Sequence, residues 1–475
     1  MAALVPLGGA RLRPRRLRGI SATSDTGEEG MERCITLAER GPSSDKRMGS
    51  TKRKRSTPRL APELMEEIVL EILLRLPVKA IGRCQSVCKA WRAIISDPKF
   101  TQAHLRHSAT KWERDPTFVI SPLILDYVLR EEEEADRWPT TFSNHIRFYQ
   151  WRQGFSNQAE AATFLHEDNF GYQFNQLHYF SHCAGLVLAP TDTGLYVFNP
   201  ATRDAITLPC SERNNLDRLG GRWLGGRRAC YCVGFGLDPR TSKCKVVQAF
   251  YRSMDRTSIG MEVFTIAGDN NNKWRKIMND PPYPAYRSQT GQSIHGYLFW
   301  RIDNRLMRRL GEEPPRALLH LRLEDEEFGI TRLPETLDPA LDEDFWLDVL
   351  HGRELCLTAS TCHETMLTIW TLPVVEQGLD SPWECRYSIQ VPGLFHPMAL
   401  PPCSRGGIIL WQGETIYCYD LATSELTTLC EMDSMRYQGR KERKWKNLHT
   451  FDVKPYTESL IRITNSLPQI RGVPP

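Results

Sequence analysis

Cysteine is scarce in this sequence, with 14 among 475 residues, and no two cysteines stand at the C-x-x-C spacing of a zinc ribbon. That density is too low for a disulfide scaffold, and no continuous apolar run marks a secretory leader. Reduced thiols in the nucleus and/or the cytoplasm are expected. The pairs Cys84 with Cys88, Cys230 with Cys232, and Cys356 with Cys362-His363 read as ordinary free thiols. Apolar runs such as Gly407-Ile-Ile-Leu-Trp411 fall well short of the ~20 residues that cross a bilayer, and no heptad array runs through the chain. Neither a membrane partner nor a coiled coil is expected.

The common catalytic constellations are missing too. No G-x-x-x-x-G-K-[ST] loop occurs, and Gly234-Phe-Gly236 lacks the third glycine and the following helix of a dinucleotide fingerprint. His363-Glu364 has Leu367 where a zinc protease places its second histidine, and no G-x-S-x-G elbow is present. The dense acidic group Asp342, Glu343, Asp344 and Asp348 would serve a propeller-type hydrolase or sugar-binding protein only if it reached a central pocket. A polar loop is its simpler reading. No catalytic residue, cofactor or metal is expected.

The net charge of +4 is unevenly distributed. Residues 1–60 hold 14 Lys and Arg against 6 Asp and Glu, so the remainder is mildly acidic. Such a body offers no general field for a polyphosphate backbone, which excludes nucleic acid as an expected partner. Residues 1–59 are rich in Arg, Gly, Ser and Pro and read as a disordered basic tail. Within it, Arg11 to Arg18 has the composition of a transit peptide, and Lys52-Arg-Lys-Arg55 that of a nuclear import signal. An upstream extension before Met48 and a merely solvated charge run are the plain alternatives.

At residue 60 the pattern changes. Leu64, Ile68, Ile72 and Leu76 recur every fourth position, with Met65, Val69 and Leu73 beside them, which predicts a helix with a wide apolar face. Pro62 and the glutamates at 63, 66 and 67 suit its first turn, and Pro77 ends it. A second helical pattern carries Val78, Ile81, Cys84, Val87, Cys88, Trp91, Ile94 and Ile95 up to Ser96-Asp-Pro98. A unit of roughly 40 residues seldom stabilises itself without a partner, metal or disulfide. Its apolar stripe predicts a partner protein.

After about residue 115 short β-branched and aromatic segments bounded by turn residues take over. They lie at 185–189, 194–198, 232–236, 244–251, 261–266, 296–302, 317–323, 353–358, 366–372, 384–389, 407–411 and 415–420. Loosely similar units recur at roughly 45 to 65 residues, the range of propeller blades. The expected fold is α+β and multidomain: a small all-α domain at 60–105, an all-β, propeller-like domain at 106–435 with its blade number open, and a partly disordered C-terminal segment at 436–475. Two irregular loops are rich in hot-spot residue types: one with Arg222, Trp223, Arg227 and Arg228, the other with Tyr283, Tyr286 and Arg287. They are candidates for holding a target protein, against the default of solvent-exposed loops.

Glu71-Ile-Leu-Leu-Arg-Leu-Pro-Val-Lys79 and Val87-Cys-Lys-Ala-Trp-Arg92 resemble an F-box of the plant type. His182-Cys-Ala-Gly-Leu186, Tyr196-Val-Phe-Asn-Pro-Ala-Thr202, Val233-Gly-Phe-Gly-Leu-Asp-Pro239 and Trp274-Arg-Lys-Ile277 resemble the F-box-associated domain of the same proteins. The resemblance implies a non-catalytic substrate receptor of an SCF-type ubiquitin ligase. Its F-box would dock on a Skp-type adaptor, joined to cullin and RING subunits, and its β domain would hold an unknown target. An F-box protein with a non-degradative scaffolding role is the alternative. Adaptor-facing or helix-positioning candidates carried over are Leu64, Ile68, Ile72, Leu76, Pro77, Val78, Ile81, Cys88 and Trp91. Met65 stands where the family has proline and Gly82 where it has a larger apolar residue, so adaptor affinity below the family norm is expected.

Overall fold

The computed structural model describes residues 65–463, save 113, 127–138, 140, 153–160, 214–231, 253–257, 267–272, 287–289, 342–343, 362–365, 375–378, 380–381, 402–406 and 442–443. The basic tail expected at 1–59 and its two targeting signals therefore lie outside the described residues.

Four helices come first: α1 (Glu66–Arg75), α2 (Val78–Cys84), α3 (Lys89–Ser96) and α4 (Pro98–Trp112). Glu66 and Glu67 face the positive end of α1, and Leu76 turns extended ahead of Pro77 to end it. Val69, Leu73, Ile81, Ile95 and Phe100 form the core of this unit, with Leu76 and Trp91 packed at its margin. The second helical pattern is divided, because residues 85–88 form a turn. Cys88 Sγ accepts from the Trp91 amide at 3.4 Å and the Ser86 hydroxyl donates to the Arg83 carbonyl, so side chains replace the helical partners there. Ser-Asp-Pro, which reads as a stop, is equally a start: Asp97 Oδ1 accepts from the Lys99 amide at 2.8 Å and Pro98 opens α4. That helix runs past the expected boundary at 105.

Beyond the helices the described residues form six sheets, antiparallel except for one short parallel pairing in the first. The strands are β1 (Thr117–Ile124), β2 (His145–Arg152) and β3 (Ala161–Asn169); β4 (Ser181–Cys183), β5 (Leu186–Pro190), β6 (Leu195–Asn199) and β7 (Asp204–Thr207); β8 (Val233–Leu237), β9 (Cys244–Tyr251), β10 (Ile259–Thr265) and β11 (Arg275–Lys276). Next come β12 (Gln292–Ile294), β13 (Tyr297–Arg301), helix α5 (Asn304–Arg309), β14 (Ala317–Arg322) and β15 (Glu327–Arg332). The last are β16 (Phe345–Leu350), β17 (Glu354–Thr361), β18 (Met366–Pro373) and β19 (Glu384–Gln390); β20 (His396–Ala399), β21 (Gly407–Gln412), β22 (Thr415–Asp420) and β23 (Leu426–Glu431); β24 (Arg436–Tyr437) and β25 (Leu448–Pro455).

Each sheet from β4 to β23 uses four consecutive strands, and side chains alternate between its two neighbours. In β5, Val187 and Ala189 join the cluster shared with β1 and β2, while Leu186 and Leu188 join the one shared with β8 and β9. Further clusters link the third sheet to the fourth, the fourth to the fifth and the fifth to the sixth. A sixth packs Ile409 and Trp411 of β21 against Phe118, Trp151 and Phe451, which closes the ring. The architecture is a six-bladed propeller.

Closure depends on the chain's end. Strand β25 pairs with β1 from Phe118↔Pro455 to Ile124↔Leu448 and supplies the inner strand of the first blade, while β24 pairs in parallel with the outer strand β3. Residues expected as a loose C-terminal segment from 436 onward thus hold blade strands. Beyond β25, residues 456–463 cross the propeller end. Asn199 Nδ2 donates to the carbonyls of Ser459 and Ile461 at 3.0 and 2.9 Å. A Cβ on Gly185, whose φ is +81°, would fall 2.3 Å from Ser459 Cβ, so glycine is required there.

Candidate functional site

Helix α1 buries Val69 and Leu73 and turns another row outward. Ile68 and Ile72 are 40% and 44% exposed, four residues apart on one face. Met65, Leu70 and Val87 are further exposed apolar residues that the sequence candidates did not include. Met65 reads as a misplaced proline and Val87 as a helix-core position, and only the turn at 85–88 brings Val87 out. Of the other candidates, Pro77 and Cys88 are exposed, and Leu76 and Trp91 half-buried. Val78 and Ile81 are buried, Ile81 completely, and position the helices. Leu64 lies outside the described residues. A Cβ on Gly82 would meet nothing within 4 Å. The thiols divide as well: Cys232 and Cys356 are buried, Cys84 is partly buried and Cys88 is exposed.

The helical unit is tied to the propeller. Glu458 Oε2 accepts from the Val78 amide at 2.9 Å, and Leu460 packs on the helix core. Trp112 Nε1 donates to the Thr117 carbonyl at 2.7 Å, joining the end of α4 to the start of β1. His104, buried beneath, shares a 3.0 Å hydrogen bond with the Leu76 carbonyl.

Strand alternation assigns the two ends of the propeller. The turns that join first to second and third to fourth strands lie at one end, and those joining second to third strands and successive blades at the other. Helices α2 and α4 share a cavity with Ala184, Pro239, His295, Gly296 and Gly352, all in first-to-second turns, so they stand over the first end. Tyr283 and Tyr286 lie on the connection between the third and fourth blades and so belong to the opposite end. Arg222, Trp223, Arg227, Arg228 and Arg287 lie outside the described residues. Tyr283 packs half-buried against the cluster of the third and fourth blades. Tyr286 donates its amide to the Arg301 carbonyl at 2.7 Å, and the Arg301 guanidinium lies 5.2 Å above its ring. The same end exposes Tyr172 and Met278, each 89% accessible, and Leu310 after α5. Tyr172 and Met278 lie on inter-blade connections and Leu310 on a second-to-third connection, none of them among the sequence candidates.

A polar cluster lies at the inner strands. Asp348 Oδ2 meets His396 Nδ1 at 2.9 Å, and the His396 ring lies between Trp346 and Trp411, with centroids 3.5 and 4.8 Å away. Lys454 pairs with Asp452 at 3.3 Å and lies 5.8 Å from the Trp411 ring centre. Burial pushes the Asp452 carboxyl up, with Lys454 opposing. Burial also holds His182 down at about 4, helped by the Lys454 charge. Of the acidic group considered for a propeller enzyme, Asp348 lines the cavity while Asp344 is exposed, and 342 and 343 lie outside the described residues. Among the described residues no group of three or more His, Cys, Asp or Glu could hold a metal ion.

Comparison with known proteins accounts for both parts. Residues 63–103 match the F-box domain family, and residues 140–451 match the family described as F-box associated beta propeller domain. An Arabidopsis thaliana F-box/LRR-repeat protein is 22% identical over 422 residues, 87% of this chain and 85% of its own length. F-box protein CPR1 of the same plant is 23% identical over 382 residues, 75% and 82% of the two chains. A further Arabidopsis thaliana F-box protein is 25% identical over 330 residues, 67% of each. The chain belongs to the plant F-box proteins that carry an F-box associated beta propeller domain.

Proposed function

We propose that the chain is a substrate receptor of an SCF-type ubiquitin ligase. An F-box joined to a propeller supports a substrate-adaptor role in general. The finer reading assigns a Skp-type adaptor to the outward row of α1 and a target protein to the propeller end away from the helices. The observation that carries it is the apolar row Met65, Ile68 and Ile72, exposed beside a small helical core already filled by Val69, Leu73 and Ile81. Covering that row would contribute to binding in proportion to its area, less the costs of association.

In this role the chain supplies proximity. The helices fixed at one end and the loops at the other hold a target at a set distance from the transferring thiol of a partner, which raises the effective concentration of target lysines there. The nucleus and/or the cytoplasm is the proposed location, read by a fluorescent fusion of the full chain. The test of function is reconstitution with adaptor, cullin, RING subunit and charged E2. Ubiquitin transfer to proteins captured by the chain, lost on deletion of 60–100, supports the proposal. Capture that never leads to ubiquitin transfer rejects it.

A further inference from the structure

Between the helices and the propeller end lies a cavity of about 1070 Å³, the upper range for small-molecule sites. Its walls come from helices α2, α3 and α4, from inner strands and their turns together with Trp411 of β21, and from the segment after β25. Val78, Ile95, Leu105, Met398 and Trp411 make them largely apolar. The charged lining is one-sided. Lys79, Arg106, Lys243, Lys454 and Arg462 face it against two carboxylates, Asp204 and Asp348. Both carboxylates are engaged, Asp204 by the Thr202 hydroxyl at 2.8 Å and Asp348 by His396 at 2.9 Å.

One group in the cavity is suited to an anion. The Lys454 ammonium, on a partly accessible side chain, is held by Asp452 beside the Trp411 and Tyr179 rings. His182 lines the same space, but its Nε2 atom is buried without a hydrogen-bond partner and closed off from it. A cation beside aromatic rings in a cavity with a largely apolar wall suits a ligand that carries one negative charge on an apolar body.

We propose that this cavity binds a small organic anion, a carboxylate or sulfonate on an aromatic or alicyclic body, with its charge at Lys454 and its body on Trp411 and Met398. Because α4 and the inner strands both form the wall, the bound molecule bridges the helical unit and the propeller. It therefore raises stability by mass action. The proposal does not depend on ubiquitin ligase function.

The test uses the full chain, free and with a co-expressed Skp-type adaptor. The probes are 8-anilinonaphthalene-1-sulfonate and N-phenyl-1-naphthylamine, which share an apolar frame but differ in the sulfonate. One saturable site is expected for the sulfonate, with the neutral probe at least ten-fold weaker. Asp452→Asn with Lys454→Met removes the cation without leaving an orphan carboxylate, and should weaken the sulfonate about ten-fold or more while sparing the neutral probe. Leu105→Trp, filling the cavity from the helix side, should weaken both probes. It keeps the proposal testable if the double variant fails to fold. Lys441→Met, exposed and outside the cavity, should change neither. Equal affinity for the two probes, equal effects of the Lys441 and Lys454 changes, or no saturable site would overturn the proposal. So would displacement of the sulfonate by an acidic hexapeptide at lower concentration than by 1-naphthoate, which would make the cavity a peptide site.

Discussion

Replacing Ile68 and Ile72 together by alanine removes apolar area from the outward row of α1 and leaves the helix intact, since alanine is the best helix former. Full burial of an isoleucine is worth roughly 1.5–3 kcal/mol. At 40% and 44% exposure, less than half of each side chain remains to be covered by a partner. Each side chain then contributes about 1 kcal/mol to the complex, and the pair about 2, or roughly thirty-fold in affinity. Isothermal titration of the full chain with a Skp-type adaptor reads this directly, and thermal unfolding of the free variant should be nearly unchanged. Ile81→Ala is the contrasting case. Its side chain is completely buried among the helices, so it should cost about 2–4 kcal/mol of local stability, with affinity falling because the unit loosens. A well-folded Ile68/Ile72 double variant that binds within two-fold of the unaltered chain would refute the placement of the adaptor on α1.

Three further outcomes follow from the packing. A chain ending at 435 loses β24, β25 and the crossing segment, so it should yield no soluble monomer by size-exclusion chromatography, whereas one ending at 463 should behave as the full chain. Glu458→Ala leaves the Val78 amide without its acceptor; hydrogen exchange across α2 should quicken as the local stability falls by about 1–3 kcal/mol, with blade amides unaffected. Burial holds His182 and His320 near 4 against an ordinary 6.5, with Lys454 and Arg322 adding to the depression. In acid the unfolded chain takes these protons first, so each histidine lowers stability as pH falls from 6.5 toward about 4, by about 1.4 kcal/mol per unit. Urea midpoints measured between pH 7 and 5 should fall, and His320→Gln should flatten the fall.

What the sequence makes legible here follows from burial. Strands in the middle of a blade are covered on both faces, so β5, β13 and β21 read as nearly continuous apolar runs and are found from sequence. Two of the inner strands, β4 and β12, are short and partly polar. Ser-His-Cys of β4 and Gln-Ser-Ile of β12 carry no strand signal of their own. In β25, Phe451 and Val453 face the core while Asp452 and Lys454 form an ion pair, which reads as a polar tail. With β4, β12 and β25 hidden and the last of them more than three hundred residues from its partner β1, the number of blades could not be counted. Ile68 and Ile72 of the outward row on α1 were visible because helical periodicity exposes a surplus of apolar residues, whereas Met65 was not. The central cavity was not, since its lining comes from turns of nearly every blade and from helices packed over them.

Mixing the purified full chain with a Skp-type adaptor and cullin, and weighing the product by light scattering behind size-exclusion chromatography, tests the central claim most directly. The account requires a stable assembly with one copy of each, in which adaptor binding slows hydrogen exchange on α1 and leaves the far end of the propeller free. A folded chain that elutes alone, with α1 exchanging at the same rate in the presence of the adaptor, would contradict it.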